Sequence, residues 1–342
     1  PGAGTFHHTY QSFCSILAQG LRENETPVVV EGGAQWFYAG YSDAHVGTGE
    51  GTGVRSSTPY LPIFELTRLH PLEVGYGLGD LETFCSDQPG VLDDPDRALD
   101  IYMAAQIAYG RAGRLVSPAD NGNLGFLCRS YYNLLPLQER YLLHVPRAIS
   151  YWDGEQFVST SKALEDDIYL RSQVYLNYPG DLEIWVNGSA DQEWTIRVGR
   201  YEWTLPPYGW VASADQFLSC SVMHEGTHRD YVRNGDWIFQ DGRGSEAPFQ
   251  GIISPGGLVI EPVTNQEVQV TNLGGATRLW LDKRTIKCKG PLEVKGAMVD
   301  GTPVEDIVVK EGEGSVWLEG PPEVFTYTLK NVDPVTGIPP EH

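Results

Sequence analysis

The sequence predicts an α/β region followed by an all-β region. Up to about residue 145, stretches with apolar residues at helical spacing alternate with short β-branched runs. Beyond that point, apolar and polar residues alternate with a period of two, and turn-forming residues separate the runs. A chain of 342 residues has room for several domains. We expect an α/β domain over residues 1–145, a β-sandwich over 146–255 and a small Ig-like β domain over 256–342.

The first region contains three predicted helices and a strand. Apolar residues recur at helical spacing over residues 9–24, and a proline breaks the pattern before the run VVV, which ends at Glu31. A second helix is predicted over 94–113, begun by Asp94 or Asp96 and closed by glycines. A third covers 131–145. This alternation indicates parallel strands joined by crossover helices, in an open doubly wound sheet or in part of a barrel.

The second region consists of short alternating runs. Examples are RSQVYLNYP, LEIWVNGS, EWTIRVGRYEWTLPP, LVIEPV and TRLWLD. Gly, Pro, Asn and Asp lie between them, and VNGS is a typical hairpin signal. The pattern predicts one or two β-sandwiches.

Charge and aromatic content narrow the class of ligand. The chain carries 45 acidic and 24 basic residues, a formal net charge of -21, so nucleic acid and anionic membrane surfaces would be repelled. No apolar run reaches the roughly 18 residues of a membrane-spanning helix. The 9 Trp and 18 Tyr exceed what a core needs, and exposed aromatic rings stack on sugars. We therefore expect a glycan ligand, no nucleic acid and no membrane.

The stretch TPVVVEGGAQWFYAGYSDAH, residues 26–45, predicts the first candidate site. A strand that ends in the carboxylate of Glu31 is unusual for a segment that only fills a core, because the carboxyl ends of parallel strands face the ligand in α/β domains. Aromatic rings and a further acid follow, namely Trp36, Tyr38, Tyr41 and Asp43. We predict that Glu31 is a catalytic acid or base and that the other four bind substrate. The alternative is that Glu31 forms a salt bridge or caps a loop.

Two further segments offer ligand contacts. His70 precedes a proline, which favours an extended backbone, and Tyr76 and Asp80 follow among glycines that let a ligand approach the backbone. Asp120 follows the short run RLVS. We predict substrate contacts for these four residues. The alternatives are a hydrogen-bonded structural histidine and a simple turn at Asp120.

The segment HEGTH, residues 224–228, has the spacing of a zinc-protease motif. On a helix, His224 and His228 would share one face. The surrounding residues alternate with a period of two, however, and positions four apart on a strand lie about 13 Å apart. We therefore predict a strand here. The five cysteines are scattered without a Cys/His spacing for zinc, so no metal and no cofactor are expected.

Six phrases within residues 1–245 resemble one family in their order. They are PVVVEGGAQWFYAGYSD, LPIFELTRLHPLEVGYGLGD, ALDIYMAAQIAYGRAGRL, LEIWVNGSADQEWTI, WTLPPYGWVA and RDYVRNGDWIFQDGRG. Together they resemble glycoside hydrolases similar to endo-α-N-acetylgalactosaminidases. The resemblance implies the carboxyl-terminal portion of a (β/α)8 barrel with appended β-sandwich domains.

The same resemblance implies a retaining mechanism with two carboxylates. Glu31 would be the general acid/base, and the nucleophilic aspartate is expected upstream of residue 1. The α/β part supplies fewer strand-helix units than the eight that a barrel needs. We therefore expect a missing amino-terminal half, or self-association, to cover the open barrel.

Two functions fit these patterns. The first is a glycoside hydrolase, or the carboxyl-terminal part of one, that acts on α-linked glycans outside the cell or in the cell envelope. The second is a non-catalytic carbohydrate-binding or structural surface protein built on the same scaffold. A metalloprotease would rest on HEGTH alone.

Replacing Glu31 by Gln tests the hydrolase hypothesis. In the complete protein, Glu31→Gln should lower the release of reducing sugar from natural glycans by about 100-fold or more while glycan binding is kept, because a general acid contributes roughly 10²–10⁴-fold. Glu23→Gln, on the preceding predicted helix, should leave the rate unchanged. An unaltered rate for Glu31→Gln would remove the catalytic role.

Overall fold

The computed structural model describes residues 54–61, 78–115 and 124–332, the strand residues 29–31, 44–46 and 74–75, and short pieces among 8–23. The chain divides into two compact units. Unit 1 comprises Pro1–Asn121 and Leu134–Ala190, and unit 2 comprises Gly122–Asn133 and Asp191–His342.

The predicted fold class, an α/β region with part of a (β/α)8 barrel followed by an all-β region, is wrong. The described strands are mostly antiparallel, and the described residues show no barrel-like alternation of strands and helices. Only β1 (Val29–Glu31), β2 (Ala44–Val46) and β3 (Val74–Gly75) pair in parallel among the described strands, in that order. They are two or three residues long, so the β-branched run forms a short strand and not a barrel repeat.

Unit 1 contains a buried central helix. Its described helices and turns are α1 (Leu81–Cys85), α2 (Pro95–Ala108), the end of α3 (Leu124–Tyr141), α4 (Thr160–Glu165) and two 3₁₀ turns at Pro89–Val91 and Ile168–Arg171. Every residue of α2 from 98 to 108 is buried. Apart from Asp100 and Gln106, which are buried too, the sequence ALDIYMAAQIA carries small or apolar side chains, which is the pattern of a helix surrounded by protein.

The ends of α2 are fixed by local signals that the sequence shows. Asp94 is the N-cap, and its side chain accepts a hydrogen bond from the Arg97 backbone N–H, with Pro95 in the first turn. At the other end Gly110 has φ +60°, and its N–H donates to the carbonyl of Ile107. The N–H of Arg111 donates to the carbonyl of Gln106, which completes a Schellman motif. The predicted helix is confirmed.

Unit 1 also contains an antiparallel sheet with one apolar face. Its strands are β4 (Ala148–Trp152), β5 (Phe157–Ser159), β6 (Gln173–Tyr178) and β7 (Leu182–Asn187), in the spatial order β5-β4-β6-β7. Side chains of one parity form the buried face, namely Ile149, Tyr151, Val174, Leu176, Tyr178, Leu182, Ile184 and Val186. Helix α2 packs against β7. Side chains of the opposite parity therefore lie on the other face of this sheet.

The strands of unit 2 have the following bounds: β8 (Trp194–Val198), β9 (Tyr201–Leu205), β10 (Trp210–Ala214), β11 (Phe217–His224), β12 (Thr227–Arg233), β13 (Ile238–Asp241), β14 (Ile252–Ile253), β15 (Gly257–Thr264), β16 (Glu267–Asn272), β17 (Arg278–Asp282), β18 (Cys288–Ala297), β19 (Pro303–Val304), β20 (Val308–Glu311), β21 (Ser315–Glu319) and β22 (Thr326–Val332).

These strands form two antiparallel sheets, and unit 2 also contains the first part of α3. The larger sheet follows the order β19-β18-β22-β16-β15-β13-β12-β11-β10, and the β8-β9 hairpin joins it through β9 and β11. The smaller sheet follows the order β14-β17-β21-β20.

Membrane-spanning helices and disulfide bonds are both lacking among the described residues. Within the described residues, no helix is both long and apolar enough to cross a membrane. The four described cysteines, Cys85, Cys128, Cys220 and Cys288, are free thiols.

The backbone at Gly256, before β15, lies very close to the backbone at Gly274, after β16, and substituting Gly256 tests this contact. A Cβ at Gly256 would lie 2.7 Å from the Cα of Gly274, and backbone cannot rotate away. Gly256→Ala should therefore lower the free energy of unfolding by about 1–3 kcal/mol, as overpacking does. Urea unfolding measures the change.

Gly290→Ala is the matched control, because no atom lies within 4 Å of a Cβ at that position. Its effect should stay near zero. Equal stability of the two variants would contradict the close approach.

Candidate functional site

Most of the predicted site residues lie outside the described part of the chain. Glu31 is the last residue of β1, and only its backbone is described. The residues that are not described are Trp36, Tyr38, Tyr41, Asp43, His70, Tyr76 and Asp120. The predicted sugar site around Glu31 therefore stays a prediction.

Asp80 has the described contacts of a helix cap. Its carboxylate accepts a hydrogen bond of 2.7 Å from the Thr83 backbone N–H at the start of α1, and Arg114 lies 4.0 Å away. Burial alone would raise the pKa of Asp80, but the hydrogen bonds from Thr83 and the charge of Arg114 hold it below its usual value. This carboxylate is ionised and oriented by α1.

The HEGTH segment is a β-hairpin. His224 ends β11, Thr227 begins β12, and the two residues pair directly. Glu225 and Gly226 form the turn with φ +48° and +74°, the signs that a type I′ turn requires. His224 lies beside the Phe249 ring, whereas His228 is on the opposite face of the ribbon. The strand prediction is confirmed, and the described residues contain no cluster that could hold a metal ion.

His228 belongs to a polar cluster on β11, β12 and the loop after β13. The Ser221 hydroxyl lies 2.7 Å from His228 Nε2 and donates to Asp230 Oδ1 at 2.7 Å. Arg243 donates to His228 Nδ1 at 2.7 Å and to both oxygens of Asp230. Arg129 of α3 donates to Asp230 Oδ2 at 2.8 Å. We call these five residues the Asp230 cluster.

The Asp230 cluster contains Ser, His and Asp but cannot act as a catalytic triad in this arrangement. Arginine only donates, so His228 Nδ1 must accept from Arg243 and the imidazole proton sits on Nε2. Nε2 then donates to Ser221, whose own proton points to Asp230. A nucleophilic serine needs the histidine to accept its proton, which is the opposite direction.

Asp230 is fully buried and ionised. Burial would raise its pKa, but Arg243, Arg129, His228 and the Ser221 hydrogen bond outweigh burial and hold the pKa of this carboxyl far below its usual value. Asp241 pairs with Asp230 across the two strands, and its pKa is raised by burial and by the Asp230 charge. The pKa values of the two carboxyls are thus displaced in opposite directions, and Asp230 is closed to solvent and ligands by its burial.

The Asp230 cluster attaches the first part of α3 to the larger sheet of unit 2. Arg129 is only 3% exposed in its side chain, so its charge is satisfied inside the protein. One turn further along, Tyr132 stacks on Phe239 with ring centroids 5.1 Å apart and meets Trp237 edge-on. Aromatic packing and a buried ion pair therefore hold the same helix face.

The second candidate is the outer face of the unit 1 sheet, which carries a continuous strip of aromatic rings. Trp152 contacts Phe157 at 5.2 Å between centroids, Phe157 contacts Tyr175 at 5.4 Å, and Tyr175 contacts Trp185 at 5.1 Å. The strip crosses all four strands, and exposure falls from 42% at Phe157 to 7% at Trp185. We call these four residues the aromatic face.

Polar groups lie beside the rings. Tyr175 donates a hydrogen bond to Glu183 Oε1. Burial and this bond to an anionic carboxylate raise the pKa of Tyr175 to about 12, so the phenol stays protonated. Asn177 and Ser150 have the same parity as Tyr175 and are half-buried on this face. Together the face offers apolar rings, a carboxylate acceptor and amide and hydroxyl groups.

Sequence reasoning singled out neither of these two clusters as a site. The aromatic residues of SYWDGEQFVS, RSQVYLNYP and LEIWVNGS have the right parity for one face, so a strand pairing would have found the strip. Arg129 and Asp230 are 101 residues apart, and no local motif joins them.

Comparisons of the chain with family models, with curated proteins and with solved structures found no match in any of the three. The site must therefore be judged on its own geometry.

Asp230→Asn tests the electrostatic role of the Asp230 cluster. Loss of the charge leaves Arg129 and Arg243 without their carboxylate, and we expect the free energy of unfolding at pH 7 to fall by about 3–5 kcal/mol. Asp236→Asn, at an exposed turn, is the control and should have little effect.

Asp230→Asn should also change how the stability of the protein depends on pH. The pKa of Asp230 is lower in the folded than in the unfolded protein, so its stabilisation is complete above about pH 4 and is lost as the pH falls. Denaturant unfolding between pH 5 and pH 2 should show a shallower loss of stability for Asp230→Asn than for the unmodified protein. Parallel curves would contradict the assignment.

Proposed function

We propose that this chain binds neutral carbohydrate through the aromatic face of unit 1, a binding role that itself needs no catalytic residue. The observation that carries the proposal is the continuous contact of four aromatic rings across four strands. Phe157 is exposed, Trp152 and Tyr175 are half-buried, and Trp185 is buried. A monomeric protein gains no stability from leaving such rings exposed, because water contact with apolar surface is unfavourable.

The chemistry of the face suits a sugar ring. One side of a pyranose presents C–H groups that pack on an aromatic ring, while its hydroxyls point outward and need hydrogen-bond partners. Glu183 accepts from Tyr175 through one oxygen, and its second oxygen has no partner among the described residues. Asn177 and Ser150 supply groups that both donate and accept. Apolar contact and hydroxyl recognition are therefore available side by side.

Charge favours a neutral ligand over a phosphate-bearing one. Glu183 lies within the face, and Asp153 follows Trp152 with a pKa lowered by hydrogen bonds from the Gln156 and Glu155 backbone. Neither group supplies the positive charge that would attract a phosphate. Nucleic acid would meet them as well as the overall charge of -21.

Glycoside hydrolysis by Glu31 is a second proposal, for a separate place in unit 1. Glu31 ends β1, which pairs in parallel with β2, and ligands of parallel sheets bind at the carboxyl ends of the strands. A catalytic Glu31 and a binding face on β4–β7 are compatible. A glycan-active protein of this kind would act outside the cell or in the cell envelope.

Phe157→Ala and Trp152→Ala test carbohydrate binding. A glycan array would select neutral oligosaccharides that bind the unmodified protein, and calorimetry would then measure the affinity of each variant. Loss of one stacking ring removes about 1–2 kcal/mol, so each substitution should weaken binding roughly 5- to 30-fold.

Tyr131→Ala in unit 2 is the control, because Tyr131 is 39% exposed and so resembles Phe157 in exposure. Its affinity should be unchanged, and thermal unfolding would show that all variants fold. Absence of any neutral ligand, or full affinity of both test variants, would overturn the proposal.

A further inference from the structure

The smaller sheet of unit 2 has one buried and one solvent-facing side. The buried side carries Leu279, Leu281, Val316 and Leu318, each 0% exposed. The alternate positions face outward, and all of them are half-buried or exposed except Asp282 at the end of β17, which is buried. The outward side is a separate surface from the aromatic face, on a different unit of the chain.

Two tryptophans lie next to one another at the centre of this outward side. Trp280 of β17 and Trp317 of β21 are direct partners in the antiparallel register. Directly opposed side chains have Cβ atoms about 4.5–5.5 Å apart, so the indoles are neighbours. Ile253 pairs with Trp280 on one side, and Lys310 pairs with Trp317 on the other. Both indoles are half-buried, which leaves part of each ring in water.

Two cations lie next to Trp317. The Arg278 guanidinium lies 3.7 Å from the centroid of the Trp317 ring. Its Nε contacts Glu319 at 3.1 Å, and Lys310 contacts the other oxygen of Glu319 at 2.7 Å. One carboxylate is thus shared by two cations, and the group keeps a net positive charge in a chain of net charge -21. Salt bridges at this exposure hold geometry more than they add stability.

The Arg278 guanidinium is accessible to a ligand. Its contact with Glu319 is made through Nε, and its side chain is 56% exposed, which leaves part of the group open to solvent. Planar guanidinium groups bind carboxylates through two parallel N–H donors, and stacking on Trp317 fixes the plane of this one. Arg284 differs, because its Nε and Nη2 already donate hydrogen bonds to the two oxygens of Asp282.

We propose that the surface formed by Trp280, Trp317, Arg278 and Lys310, here called the Trp280 surface, binds a saccharide that carries a carboxylate, such as a uronic acid unit. The sugar ring packs on Trp280, and its carboxylate accepts hydrogen bonds from the Nη atoms of Arg278. The aromatic face, with Glu183 in it, suits the neutral class of sugar. The second site therefore does not depend on the first.

Titration with a trigalacturonate tests the proposal, with tryptophan fluorescence and calorimetry as readouts at low ionic strength. We expect Arg278→Gln and Trp280→Ala each to weaken binding about 10-fold, and added salt to weaken it further because the pair is exposed. The neutral galactose trisaccharide should bind at least about 10-fold more weakly than the acidic one.

Two control variants and one control ligand separate binding at the Trp280 surface from general charge attraction and from binding at the aromatic face. Arg284→Gln removes a cation that is already paired with Asp282, and Phe157→Ala damages the aromatic face only. Both should bind trigalacturonate as the unmodified protein does. An oligoglutamate peptide should bind more weakly, because it has carboxylates but no sugar ring.

The proposal is overturned if trigalacturonate fails to bind, if the neutral trisaccharide or the peptide binds equally well, or if Arg278→Gln leaves the affinity unchanged. Chemical denaturation of each variant shows whether Trp280→Ala still folds. If it does not, Arg278→Gln decides, since Arg278 is exposed and carries no core packing. If Phe157→Ala loses its binding of neutral sugar, the conclusion about trigalacturonate binding at the Trp280 surface is not affected.

Discussion

Side chains on a β-strand alternate strictly between two faces, and the arrangement of this protein depends on that constraint. In unit 1 one parity supplies the buried core and the other supplies the aromatic face. In β11 and β12 the same rule places His224 and His228 on opposite sides of one ribbon. A shift of one residue in any of these pairings would exchange core and surface.

The parts of the fold that the sequence predicts are those governed by neighbours in the chain. Helix α2 follows from an Asp-Pro start, a Gly at the end and mostly small or apolar residues between them, and the signals at its ends act within four residues. The turn at Glu225 and Gly226 is also local. The barrel was wrong because a family resemblance and helical spacing do not determine which strands pair, or in which direction.

Strand partners are the clearest case. VNGS has the composition of a hairpin turn, yet β7 pairs with β6 and β8 pairs with β9. Asn187 uses its side chain to accept from the Ser189 N–H instead. The candidate sites are equally hard to predict from the sequence. The aromatic face and the Trp280 surface each form only when several strands pair in the correct register. The sequence shows which aromatic and charged residues are present, but it does not show which of them become neighbours across strands.

The ion pair between Arg129 and Asp230 cannot form until both residues have been synthesised. The two residues are separated by 101 positions, and ribosomes add about 5–20 residues per second. For roughly 5–20 s of synthesis the nascent helix therefore presents a cation and the Tyr132 ring with no sheet to receive them. Anything that binds such a half-made surface, including a chaperone, has that interval in which to act.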